Sequence, residues 1–297
     1  MAVSPSTYRR IVLAAGVMLG VIVVSGAAVR LTSSGLGCSD WPTCTEDSFA
    51  PEWSFHAWVE FGNRLFTGVV SAAVAAAVLA AYWRKPKERR LILLAWGLVV
   101  GVVAQIVVGG LVVLLELSPI SVTVHFLISM GLLANAVVLY RAADPARQQR
   151  TGRTDPVALT HLVLGLAVLV TGTVVTGTGP NSGDARADRL PFDLGAVAQL
   201  HSVTVWIFLA LSVFMAVRLH QQGLFGSPIQ AVLMASVVQG GIGYAQYFTG
   251  VPPWLVQLHV VGSIAVWCST VWLFLWIRDD VPVSATFVPE KRSQVPA

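Results

Sequence analysis

Long apolar runs alternate with short polar punctuation along this chain. Eight runs stand out, over residues 11–29, 57–82, 91–115, 120–140, 156–177, 196–217, 229–249 and 254–277. Each is about 20 residues or more and nearly free of charge, which suits a helix crossing a bilayer with its backbone hydrogen bonds closed internally. The period-2 alternation of a membrane barrel is absent, so strands are not expected. The first run is too long for the core of a cleaved signal, and Val29-Arg30-Leu31-Thr32 follows it rather than a small-residue cleavage site. It is expected to remain as a helix. The predicted fold is all-α, a polytopic membrane protein of eight transmembrane helices.

Composition agrees with the pattern and narrows the class. The 297 residues are 55% hydrophobic and 11% charged, against about 25% charged in soluble domains. Disorder, a disulfide-stapled miniature scaffold and a nucleic-acid binder are excluded, and the expected partner is the lipid bilayer. The net charge of +4 follows from topology. Fifteen Lys and Arg fall before run 1 and after each even-numbered run: Arg9, Arg10, Arg84, Lys85, Lys87, Arg89, Arg90, Arg141, Arg147, Arg150, Arg153, Arg218, Arg278, Lys291 and Arg292. The opposite loops hold three, Arg30, Arg186 and Arg189, and Arg64 lies inside a run. The positive-inside rule therefore predicts a cell-membrane protein with both termini in the cytoplasm.

The chain also resembles itself. Gln105 stands 20 residues before His125, and Gln239 stands 20 residues before His259. Gly109 corresponds to Gly243 and Pro119 to Pro253 at the same offset of 134. Ser25-Gly26 likewise matches Thr171-Gly172 at an offset of 146. Two pseudo-symmetric four-helix halves are expected, 1–150 and 151–297, repeated in parallel about an axis along the membrane normal.

Of six histidines, His125, His201 and His259 sit early in even-numbered runs, at one depth near the extracytoplasmic surface. An ionisable group inside a span is costly and usually faces the bundle interior or a ligand. His201 and His259 belong to one half and suit the two axial positions of a b-type haem; the alternative is two structural histidines bonded to backbone. The first half offers His125, but the partner position holds Asn63, an amide and a poor iron ligand. One half then has a closed site and the other an open coordination position. His56, Glu60 and Asn63 share a helical face, and Glu60 stands four residues before Arg64. Glu60 is a catalytic candidate; the alternative is a structural partner of Arg64. Cys38 and Cys44 lie on the oxidising side, where a disulfide is expected, with free thiols as the alternative. Zinc lacks further ligands at suitable spacing. Cys268, His161 and His220 are expected to be packing or interfacial residues.

These residues resemble the haem A synthase family over most of the chain. The resemblance is carried by Gly26-Ala27-Ala28-Val29-Arg30-Leu31-Thr32, the Cys38-x5-Cys44 loop, Glu60-Phe61-Gly62-Asn63-Arg64, Gln105-x3-Gly109-Gly110 with His125, and His201 with His259. It implies oxidation of the C8 methyl of haem O, through an alcohol, to the formyl group of haem A. It further implies a resident haem b between His201 and His259, iron ligation of substrate haem O by His125, and Glu60 in catalysis. A haem O synthase and the assembly of cytochrome oxidase are the implied partners. One departure is plain: better-known members carry histidine where this chain has Asn63. Either His125 alone binds the substrate haem, which is favoured, or His56 takes the second position. The other readings are a di-haem b electron carrier and, in another class, a transporter with a midplane site, against which the shallow histidines argue.

Overall fold

The computed structural model describes residues 2–146, 154–224 and 226–281. It is all-helical: α1 (Pro5–Leu31), α2 (Phe55–Trp83), α3 (Arg89–Leu114), α4 (Pro119–Ala142), α5 (Pro156–Thr178), α6 (Leu194–Gln221), α7 (Ser227–Phe248) and α8 (Pro253–Asp280). No strand forms among the described residues, where the one β-type pairing is an isolated bridge between Val3 and Arg84. Seven helices are long and apolar enough to cross a membrane, and the protein is a multi-pass membrane protein.

The exception is α7, whose 22 residues include three glutamines, two tyrosines and three glycines. These polar residues dilute its apolar character. It still rises about 33 Å and packs along α8.

Helix starts are set by caps and prolines. Ser4 caps α1 through its hydroxyl and Pro5 occupies the first turn, so α1 begins six residues earlier than the apolar pattern indicates. Asp155 and Asp193 cap α5 and α6, satisfying free N–H groups of the first turn. Pro119 and Pro253 open α4 and α8, where the missing N–H costs nothing. Each stands six residues before a histidine, which places His125 and His259 at one depth.

The middle of the molecule is formed by α1, α4, α5 and α8, flanked by α2–α3 on one side and α6–α7 on the other. Trp267 Nε1 donates to the Met130 carbonyl at 2.8 Å, and Gln257 Nε2 to that of Val24 at 2.9 Å. At the end where α1 starts, buried Arg141 bonds to Asp279, Asp280 and the Leu275 carbonyl, while Arg9 pairs with Asp144. At the opposite end the 32–54 and 179–193 connections meet through Gly35 N and Gly183 O. Of the fifteen charges assigned to one side, Arg147, Arg150, Arg153, Lys291 and Arg292 lie outside the described residues.

Candidate functional site

His201 on α6 and His259 on α8 face each other across the C-terminal helices, with ring centres 6.5 Å apart. A metal–imidazole bond is about 2 Å and the ring centre lies about 1.2 Å behind the nitrogen, so two rings ligating one ion from opposite sides have centres about 6.4 Å apart. The observed spacing matches that arrangement. Thr171 Oγ1 lies 3.0 Å from His201 Nδ1 and donates its own hydrogen to the Ala167 carbonyl. The proton between them therefore belongs to Nδ1, and Nε2 keeps its lone pair for a metal. Gln239 Nε2 donates to the His259 carbonyl at 2.7 Å. Two glycines let the rings lie close to neighbouring backbone. An added Cβ would come within 3.2 Å of His201 Cε1 at Gly172, and within 3.0 Å of His259 Cε1 at Gly243.

Among the described residues no three His, Cys, Asp or Glu side chains gather to hold a metal ion. A pair of opposed imidazoles suits an ion whose other positions are supplied by a macrocycle, and the residues fit a six-coordinate haem. His259 Nδ1 is buried without a partner.

The same frame recurs in the N-terminal helices. Gln105 Nε2 donates to the His125 carbonyl at 3.0 Å, and a Cβ at Gly109 would stand 3.2 Å from His125 Cε1. Opposite, Ser25 and Gly26 of α1 meet Asn63 of α2 as Thr171 and Gly172 meet His201. Ser25 Oγ lies 2.7 Å from Asn63 Oδ1, and a Cβ at Gly26 would lie 3.8 Å from Asn63 Nδ2. Asn63 thus stands in the framework position that a histidine holds in the other half. His56 lies on the exposed start of α2, its Nδ1 2.9 Å from Ser34 Oγ; its described contacts tie it to the 32–54 connection.

That connection is clasped over the N-terminal half. Cys38 and Cys44 are buried, with sulfurs 2.03 Å apart. Glu60 is 5% exposed; its Oε2 accepts from Cys38 N at 2.8 Å and its Oε1 from Arg64 Nη2 at 2.6 Å. Arg64 Nη1 also reaches the carbonyls of Asp40 and Thr43, both at 2.9 Å. Trp41 lies against Gly110 of α3, where an added Cβ would be 2.7 Å from the indole. Gly37 is pressed on the start of α2, where an added Cβ would collide with the His56 carbonyl.

The spacing of Glu60 and Arg64 indicated their pairing, but gave no sign that both hold the cysteine loop. Ser25, Thr171 and Trp41 were also missed as positioning residues; only the first two had a signal, as repeat-mates beside Gly26 and Gly172. Arg30 makes no side-chain hydrogen bond or ion pair among the described residues, lying one turn beyond Gly26 under Gly183. His161 is a buried packing residue, stacked on Phe208 and bonded to Ser212, as expected. An apolar recess of about 480 Å³ between α3 and α4, lined by Leu93, Gly97, Gly101, Leu132 and Asn135, lies beyond Gln105 and His125 and carries no ionisable group.

Residues 9–187, more than half of the chain, match the COX15-CtaA family, described as cytochrome oxidase assembly protein. A Heme A synthase of Geobacillus kaustophilus is 33% identical over 147 residues, covering 47% of this chain and 46% of its own. One from Symbiobacterium thermophilum is 31% identical over 167 residues, 54% of each chain. One from Bacillus licheniformis is 42% identical over 82 residues, covering 26% and 25%. The chain spans about half the length, or less, of these relatives.

Proposed function

Since this chain belongs to the COX15-CtaA family of cytochrome oxidase assembly proteins, we propose that it is a haem A synthase, oxidising the C8 methyl of haem O to the formyl group of haem A. The observation that carries the reading is one framework built twice with different occupants: His201 and His259 in one half, and Asn63 and His125 within the same surrounding contacts in the other. A closed six-coordinate site suits a resident electron-transfer cofactor, and an open one suits a substrate that reacts and leaves. The halves are 1–150, for the substrate haem, and 151–297, for haem b.

In this reading His201 and His259 would hold haem b, which would supply one-electron transfer when bound. Thr171 fixes the tautomer of His201. His125 ligates the substrate iron. Glu60 is the catalytic carboxylate, supported by its burial in the half with the open position; its bonds to Cys38 N and Arg64 also hold the loop. The Cys38–Cys44 disulfide keeps that loop compact, with Trp41 packed on Gly110 of α3 at the same end. Arg30, at the same end and without a side-chain hydrogen bond or ion pair among the described residues, suits a haem propionate. Ten described Lys and Arg side chains at the end where α1 starts support a cytoplasmic placement of both termini in the cell membrane. A haem O synthase supplies the substrate, and cytochrome oxidase assembly consumes the product.

Co-expression with a haem O synthase, followed by pigment extraction, tests the function. Haem A or hydroxylated haem O is expected; haem b alone would make the protein an electron carrier, and no haem would leave neither reading.

A further inference from the structure

We infer that Asn63 is a hydrogen-bond donor poised over the open iron position of the N-terminal half. Its place is to hold a small ligand there, not to ligate iron. The inference rests on the reading of that half as a haem site with His125 as the single ligand.

The two halves supply the geometry. In the C-terminal half the notional Cβ of Gly172 is 3.8 Å from His201 Nε2, the nitrogen that would meet iron. In the N-terminal half the notional Cβ of Gly26 is 3.8 Å from Asn63 Nδ2. The hydroxyl on the preceding residue completes the match: Thr171 Oγ1 engages His201 Nδ1 at 3.0 Å, and Ser25 Oγ engages Asn63 Oδ1 at 2.7 Å. Ser25 Oγ, which also bonds the Ile22 carbonyl at 3.1 Å, faces the amide oxygen and leaves the NH2 group on the side of Gly26, as Gly172 lies beside the His201 ring. Asn63 Nδ2 has no hydrogen-bond partner among the described residues, and Asn63 is only partly buried. An amide side chain is shorter than an imidazole and its nitrogen has no lone pair to give. A haem held by His125 in this half would then meet two N–H donors rather than a second ligand.

A donor so placed stabilises a bound anion or a polar diatomic by one hydrogen bond, and leaves the site five-coordinate when nothing is bound. The residue thus sets which small molecules the half can hold. Restoring histidine would close the site and make the two halves alike.

The test uses the purified full chain carrying its resident haem, loaded with haem O and titrated with azide in the ferric state. Wild type is expected to show one azide-reactive high-spin haem beside an inert low-spin one. Asn63→Leu should weaken azide binding about fivefold, the effect of one lost hydrogen bond, with haem O still bound. Ser25→Ala should fall between, because it frees the amide to rotate. Asn63→His should turn the second haem low-spin and abolish the azide response. A second haem that binds but is azide-inert in wild type, or whose azide affinity is the same in Asn63→Leu, overturns this inference alone. Failure of any second haem to bind overturns it together with the proposed function.

Discussion

The two halves hold their chemistry in one frame and differ where the chemistry differs. Glutamine to the carbonyl of the α4 or α8 histidine, glycine against that ring, and hydroxyl plus glycine against the α2 or α6 side chain are present in both. The divergent points are Asn63 for His201, and Gly110 beneath Trp41 where the other half has Tyr244. The covering connections diverge as well. The 32–54 segment carries the cysteine pair and is gripped by Glu60 and Arg64. The 179–193 segment has no cysteine; Arg189 bonds the carbonyls of Gly179 and Pro180, and exposed Arg186 holds the Asp184 carboxyl below its usual pKa. A scaffold that keeps its positioning contacts can change coordination by one side chain, which is how a duplicated site can hold a resident group and admit a transient one.

The largest expected effect removes the closed site. His201→Ala or His259→Ala should eliminate the low-spin haem b spectrum, since the proposed site offers that haem only these two strong ligands. An unchanged low-spin spectrum in purified His259→Ala would contradict the assignment. Glu60→Gln comes next. It keeps the shape of the side chain but removes its charge, and haem A output should fall about 10²-fold with haem b retained. If Glu60 serves only the loop, Glu60→Gln and Arg64→Gln should behave alike: both would loosen residues 38–44 in hydrogen exchange, while the surviving protein keeps near-normal turnover.

Much of this frame was legible in the chain. Continuous apolar runs specify helices because a bilayer offers backbone groups no other partner, so the eight elements followed from pattern alone. The depth of the histidines followed from Pro119 and Pro253, which start their helices and lie six residues before His125 and His259. Asn63 was visible as the mismatch in the repeat. The grip of Glu60 and Arg64 on the loop was not, because it joins a side chain to backbone N–H and carbonyl groups that carry no sequence signature. Trp41 over Gly110 was hidden for a related reason: the close approach depends on how a 23-residue connection (32–54) folds back. The start of α1 was misplaced because Ser4 and Pro5 extend the helix beyond its apolar run.

A smaller effect comes from exchanging the residues that differ beneath the loop. Gly110→Tyr installs the residue of the other half where Trp41 packs, and its Cβ alone would meet the indole at 2.7 Å. Binding of the second haem should weaken severalfold while haem b stays unchanged; equal affinity in a titration would show that the loop does not bear on that site. Smallest of all, Thr171→Ala should retain haem b but make His201 a less basic ligand. A modest upward shift of the haem b potential is expected, and a downward shift or none would count against the assigned tautomer.

The asymmetry of the halves is tested most directly by a carbon monoxide difference spectrum of the reduced protein carrying two haems per chain. The account predicts that one haem binds carbon monoxide while the other, held between His201 and His259, does not. Two inert haems, or two reactive ones, would contradict it.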